Sequence, residues 1–280
     1  MKLILSRKGL DSSAGGYPSL IFPDGTLFSI PIPDKKTSIA YSDLNFSYNG
    51  KPIQKILNDL TNKKIKSGRK HFCDYQTDKF KCHYDPMFID FKNDSYIVLG
   101  QEGTNASHLI NQDVKERDIF LFWGWFKEVE KVNGKWRYKK NAPDIHLIWS
   151  YMEVEKRLIV KDNKEEILKD YPFLAKHPHI EVKRKNPNVI FLSKKFKKLK
   201  FHKNIVLTDI ENYKGRSYWK LPKFFNQPQA FSYLKNFMQI NDEYVSVQSP
   251  NRGQEFILNL ENVDQKNVEK IKDFIHNLNE

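Results

Sequence analysis

Apolar positions in this chain fall into short blocks separated by polar, glycine-containing turns, and the spacing inside each block predicts an element. Leu3 to Leu5 form an apolar run that opens into SRKGLDSSAGGYPS, the pattern of a strand feeding a polar turn. In LIFPDGTLFSIPIPD two apolar runs flank Pro23-Asp24-Gly25. Proline presets φ and glycine accepts positive φ, so a hairpin is predicted, and Pro31 and Pro33 keep its second strand out of the middle of a sheet. Ile53, Ile56, Leu57 and Leu60 recur at helical spacing behind Pro52, a residue suited to a first turn. Tyr96 to Leu99 reads as a strand. SHLINQ reads as the start of a helix capped by Ser107, with His108 in its first turn.

The densest apolar stretch is DIFLFWGWFKEVEKV, echoed by IHLIWSYMEVEKRLIV from Ile145. Two such β-rich runs joined by a polar segment predict adjacent antiparallel strands, with a small strand at Trp136 to Tyr138 between them. Their aromatics are apolar on both faces, which favours core packing over a base-stacking platform. A short helix is expected from Lys164 to Asp170, stopping before Pro172. His177 and His179 flank Pro178, and on an extended segment both rings would share one side. Val268, Ile271, Ile275 and Leu278 mark a C-terminal amphipathic helix over Val263 to Leu278. The expected class is α+β: a mixed, mainly antiparallel β core, a small barrel-like sheet being one form of it, with peripheral helices. No linker or long repeat divides the sequence, so residues 1–280 read as one domain with a basic insertion at about 183–203.

Composition narrows the partner. A formal net charge of +13 calls for a polyanion, with DNA or a nucleotide the first candidate, unless it reflects the drift toward Lys, Asn, Ile and Phe of an AT-rich genome. From Lys183 to Lys203 no acidic residue occurs, and Lys183, Arg184, Lys185, Lys194, Lys195, Lys197 and Lys198 form the best electrostatic footprint for a phosphate backbone. A lysine run is also the usual composition of a solvated face. Two cysteines, Cys73 and Cys82, argue against a disulfide scaffold and for a reducing compartment. Nowhere do eighteen apolar residues run together, so a cytoplasmic protein without a membrane span is expected.

The chemistry-bearing residues lie in scattered polar blocks. Ser6, Arg7, Lys8 and Asp11 stand at the first strand's end, in a glycine spacing that fits neither a P-loop nor a dinucleotide fingerprint. His71, Cys73, Cys82 and His83 are ligand types that zinc prefers, at a spacing unusual for a structural zinc site. His83 and Asp85 alternatively form an acid/base or ligand pair. Gln101, Asn105 and His108 offer two amides and an imidazole, suited to a base edge. Near the C-terminus Arg252, Gln254 and Glu255 precede an apolar run.

Taken together these blocks resemble the nucleotide modification associated domain family of type three. The resemblance rests on SRKGLDSSAGGYPS, FPDGTLFSIPIPD, CHYDP, GQEGTNASHLINQDV, RDIFLFWGWF, HPH, SYWKLP and NRGQEF in that order, nearly the whole chain. Leu20 stands where the family pattern has proline, and Asn251 where it tends to glycine. The resemblance implies an association with systems that modify DNA bases in phages and bacteria. It also implies site residues at the matching polar positions: Ser6, Arg7, Lys8, Asp11, Asp24, His83, Asp85, Gln101, His108, His177, His179, Arg252, Gln254 and Glu255.

Three functions emerge as expectations. The first is a base- or nucleotide-modifying enzyme, with Arg7, Lys8 and Arg252 on phosphate, Gln101 and Gln254 reading the base, and His83, Asp85, His108, Asp11 or Glu255 as catalytic groups. A divalent-metal form of it draws on His83, Asp85, His108, His177 or His179. The second is a non-catalytic reader of modified bases, since VKERDIFLFWGWF before EVEK is similar in style to PUA and EVE barrels. The third is a nucleotide- or DNA-degrading protein of phage conflict.

Overall fold

The long strand Ile119–Val132 is the axis of the molecule, because its length lets it serve two sets of neighbours. Its first half lies between the N-terminal strand Lys2–Arg7, in parallel register, and the strand Ile145–Glu153, antiparallel. Its second half pairs with Ser19–Ile21 on one side and with the hairpin strand Lys135–Tyr138 on the other. The antiparallel register shifts between Phe122 and Trp123, a bulge that re-aims the second half of the strand. Strands Phe256–Asn259, Phe196–Lys198 and Leu27–Phe28, the last paired with Ser19–Ile21, complete this eight-stranded sheet. The computed structural model describes residues 1–67, 71–74, 80–250 and 255–278, with the side chains of 67 and 71–74 excepted.

A four-stranded antiparallel sheet, ordered Met87–Phe91, Asp94–Glu102, Asn188–Ser193, Lys156–Val160, stands beside the first. Neither closes into a barrel. The aromatic wall of the long strand is the core itself: Phe120, Phe122 and Phe126 are fully buried, and Trp123 packs edge-on against Trp219. Such rings are closed to a stacking base. Helix Ile53–Thr61 buries Ile53, Ile56, Leu57 and Leu60 in a second apolar cluster with Phe22, Tyr48 and Trp136. The C-terminal helix Gln265–Asn277 lays Val268, Ile271 and Ile275 on the main core.

Several local expectations meet the structure directly. The Pro-Asp-Gly hairpin forms between Ser19–Ile21 and Leu27–Phe28, and Asp24 serves it by accepting from the backbone N–H and the hydroxyl of Thr26. The central helix begins earlier than Ser107 predicts. It runs Gly103–Asn111 with Glu102 as its N-cap residue, so Ser107 lies inside it and donates to the Gly103 carbonyl. His177 and His179 are not on an extended segment. Pro178 occupies the first helical position, where its missing N–H costs nothing, and His177 caps the short helix Pro178–Glu181. The basic run splits, because Asn188–Ser193 within it is an inner strand of the four-stranded sheet.

Candidate functional site

One cavity of about 510 Å³ gathers side chains from six separate segments. Arg7 and Lys8 reach it from the end of the N-terminal strand, Asp34 from beyond the hairpin, His83 from the strand Cys82–His83 and Asp85 from the turn after it. Gln101 comes from the strand Asp94–Glu102, His179 and Arg184 from the short helix and the segment just after it, and Glu255 from the start of the last strand.

Asp85 is the centre. Its side chain is buried, yet both oxygens are held: Lys8 Nζ donates to Oδ2 at 2.9 Å, and the Gly100 backbone N–H donates to Oδ1 at 2.8 Å. His177 Nε2 stands 3.5 Å from Oδ1 and His83 Nε2 stands 3.8 Å from Oδ2. Burial alone pushes this carboxyl up. The charge of Lys8, with His177 behind it, overcomes that and holds Asp85 well below the ordinary carboxylate range.

The imidazoles are oriented by their neighbours, which settles where their protons lie. His177 Nδ1 accepts from the His179 backbone N–H at 3.3 Å, so its proton sits on Nε2, toward Asp85. Asn188 donates through Nδ2 to the His179 carbonyl at 2.8 Å. Its Oδ1 is then the acceptor for His179 Nδ1 at 2.8 Å, which leaves the other ring nitrogen unprotonated. Burial lowers the His179 pKa to about 3, so the ring is neutral. His83 Nδ1 lies 3.4 Å from Asp34 Oδ2, itself held by Arg184 Nη2 at 2.9 Å. Its hydrogen bond to His83, then those from the Lys36 backbone N–H and Arg184, hold the Asp34 carboxyl below its usual range against the opposing effect of burial.

Two glycines make these approaches possible. A Cβ on Gly100 would lie 2.2 Å from the His179 ring, so the imidazole rests directly on bare backbone. A Cβ on Gly124 of the long strand would lie 2.5 Å from the Lys8 carbonyl, where the Lys8 N–H donates to Trp123 at 2.8 Å. Both glycines are there for access rather than for a turn.

Across the cavity Glu255 is buried, with Gln101 Nε2 donating to its Oε1. Its Oε2 and the hydroxyl of Ser6 are both buried without a hydrogen-bond partner. Burial pushes the Glu255 carboxyl up, opposed by the charge of Lys8. Among the described lining residues, four cations (Arg7, Lys8, Arg184, Lys185) face five carboxyls: Asp11, Asp34, Asp85, Glu102 and Glu255.

The remaining expected residues fall both inside and outside the cavity. Asp11 lines it, ion-pairs with Arg7 at 3.4 Å and anchors its own turn through Ser13 and Ala14. Ser6 is buried behind the lining, and Asp24 is an exposed turn residue. His108 lies outside the lining, 3.1 Å from the Ser232 hydroxyl and packed on Tyr233, because it falls on the far part of a helix whose first residues face the cavity. Cys82 turns into the second apolar cluster while its neighbour His83 faces the cavity, the alternation of a strand, so these two do not converge on one ion. The side chains of His71 and Cys73, and all of Arg252 and Gln254, lie outside the described residues.

Of the basic run, Arg184 and Lys185 line the cavity and Lys183 is exposed nearby. Lys194 and Lys195 pair with Asp94 and Glu153, Lys198 covers the Phe88 ring, and Lys197 gives its carbonyl to Ser150. The six-residue strand between the two groups sets them about 20 Å apart. Asp34 and Asn188 carried no signal of their own in the sequence. Asn188 was hidden inside the lysine run, although a lone amide heading an apolar strand was visible there.

A family model, Nucleotide modification associated domain 3, matches residues 2–259. The chain belongs to this family. Every described cavity-lining residue falls within the span matched by Nucleotide modification associated domain 3, and the helix Gln265–Asn277 lies beyond it. No curated protein and no solved structure matches the chain. Among the described residues no helix is long and apolar enough to cross a membrane.

Proposed function

We propose that this chain is an enzyme that modifies a nucleotide or a DNA base. The observation that carries the reading is convergence: Lys8, Asp85, Gln101, His179 and Glu255, drawn from across the sequence, meet in one cavity of about 510 Å³. That volume suits a nucleotide-sized ligand. Asp85 supplies a fixed negative charge. Glu255, buried and with one oxygen unengaged, supplies the exchangeable proton. Two carboxyls in one cavity with environments that differ this much take different roles. The amide of Gln101 and the cations Arg7 and Lys185 at the lining match a base edge and a phosphate. A base taken from duplex DNA must first leave the stack to enter.

The test is incubation of the protein with nucleotides and with DNA, then mass spectrometry of the products. A mass-shifted base or nucleotide is expected. Glu255→Gln should lower its formation by about 10² to 10⁴ while ligand affinity stays within about tenfold. Binding of a modified base without any product, unchanged by Glu255→Gln, would make the chain a reader and reject the proposal.

A further inference from the structure

We infer that His83, Asp85 and His179 form a binding site for one divalent first-row transition-metal ion. One ligand atom from each lies within 4.8 Å of the other two. Two imidazoles and a carboxylate on one side of an ion are the donor set of open metal sites, which keep positions free for substrate. The inference goes beyond the proposed reaction and does not depend on it.

Proximity is joined by two further observations. The first is orientation. His179 is fixed through Nδ1 by Asn188 at 2.8 Å, and His83 stands with Nδ1 3.4 Å from Asp34. In His179 the outer nitrogen faces an acceptor, which leaves the inner one as a lone pair, while His83 Nδ1 is held between the Asp34 carboxylate and Arg184 Nη2 at 3.3 Å. The first arrangement is how metal-ligating histidines are held. Asp85 is held by the Gly100 N–H, with His177 Nε2 3.5 Å from the same oxygen, and each of its oxygens retains a second lone pair. Ligands at about 2.1 Å from an ion stand about 3.0 to 3.4 Å apart, so the His83 to Asp85 separation of 3.8 Å needs little closure. Lys8 Nζ, 2.9 Å from Asp85 Oδ2, balances part of the carboxylate's charge.

The second observation is charge. Among the described lining residues four cations face five carboxyls, of which burial pushes Glu255 toward its neutral form, so the two signs nearly balance. Such a surface offers a phosphorylated substrate little net attraction. A dipositive ion at Asp85 adds positive charge and gives the phosphate a further partner.

The experiment uses the full-length, tag-free protein, stripped with chelator and titrated with Co²⁺ by calorimetry and visible absorption. One equivalent is expected to bind, with a spectrum free of thiolate charge transfer. His83→Gln and His179→Gln should each weaken binding by at least 100-fold, and Asn188→Ala by roughly 10-fold. His276→Ala on the C-terminal helix should leave it unchanged. Circular dichroism and melting of each variant show whether the fold persists. No binding by the wild type, binding retained in both His variants, or a thiolate band placing the ion at a cysteine overturns the inference. None of these readouts needs catalysis, so the outcome stands apart from that of the product assay.

Discussion

Glu255 and Gly100 show how much of this site depends on single atoms. Glu255 is buried with its pKa raised by that burial, so the folded state favours its protonated form. Its contribution to stability is therefore present at acid pH and becomes a cost as pH rises above the unfolded value near 4.3. Glu255→Gln removes that cost and keeps an acceptor for Gln101. A rise in stability of about 0.5–2 kcal/mol at pH 7 is expected in urea melts, together with the lost turnover. Gly100→Ala acts in the other sense. Its methyl would enter the His179 ring, and overpacking of this kind costs about 1–3 kcal/mol. Activity should fall at least tenfold, as seen in product formation, because the ring cannot move without leaving Asn188. His146 offers a pH test away from the cavity. It is buried, accepts from Trp219 Nε1 at 3.0 Å, and burial lowers its pKa to about 3. From about pH 6.5 downward the unfolded chain takes a proton there that the folded chain refuses. Stability should then fall with a slope approaching about 1.4 kcal/mol per pH unit from this residue. His146→Gln should flatten that slope in denaturant melts at pH 7, 6 and 5.

At the scale of elements, the long strand does two unlike jobs. Its aromatics hold the core, and Gly124 lets the segment after the N-terminal strand lie against it with the Lys8 carbonyl in contact. Gly124→Ala should lift that segment and loosen Lys8 from Asp85. The expected result is a tenfold or greater loss of product formation for a modest loss of stability, with nucleotide binding by calorimetry reporting the displaced lysine. The elements themselves were legible wherever one period dominated. The hairpin at Pro23-Asp24-Gly25, the paired aromatic strands and the helices at 53–61, 164–170 and 265–277 come directly from spacing and turn residues. Spacing failed where short-range capping won over it. Ser107 looked like an N-cap, but the helix starts at Gly103, where the strand ends. Pro178 looked like part of an extended run, yet proline at a first helical position with a histidine cap builds a turn. The site was legible as a set of polar blocks. It was not legible as a shape, because nothing in local sequence states that residues 34, 85, 188 and 255 are neighbours.

The whole molecule is held by long-range pairing. The N-terminal strand lies between strands that begin at residues 119 and 256, so the two ends of the family-matched span meet in one sheet. The C-terminal helix then closes the core with Val268, Ile271, Ile275 and Leu278. Burying four such side chains contributes about 6–12 kcal/mol, the size of a whole domain's net stability. Deletion of residues 263–280 is expected to give aggregated or unfolded protein by size exclusion and circular dichroism, although none of its described residues lines the cavity. The basic surface bears on the choice between polymer and free nucleotide. Arg184, Lys194 and Lys195 are ion-paired, and the cations of the run sit in two groups rather than one stripe.

Because the cavity is tiled from segments that begin at residue 7 and end at residue 255, anything that fills it ties the ends of the chain to its middle. Its occupant is thus a staple across the entire fold. A ligand at a hundred times its Kd should raise the unfolding free energy by about 2.7 kcal/mol, felt by every segment at once. Thermal melting against a panel of nucleotides, bases and metal ions therefore turns the folding transition into a search instrument: the chain itself can name what it holds.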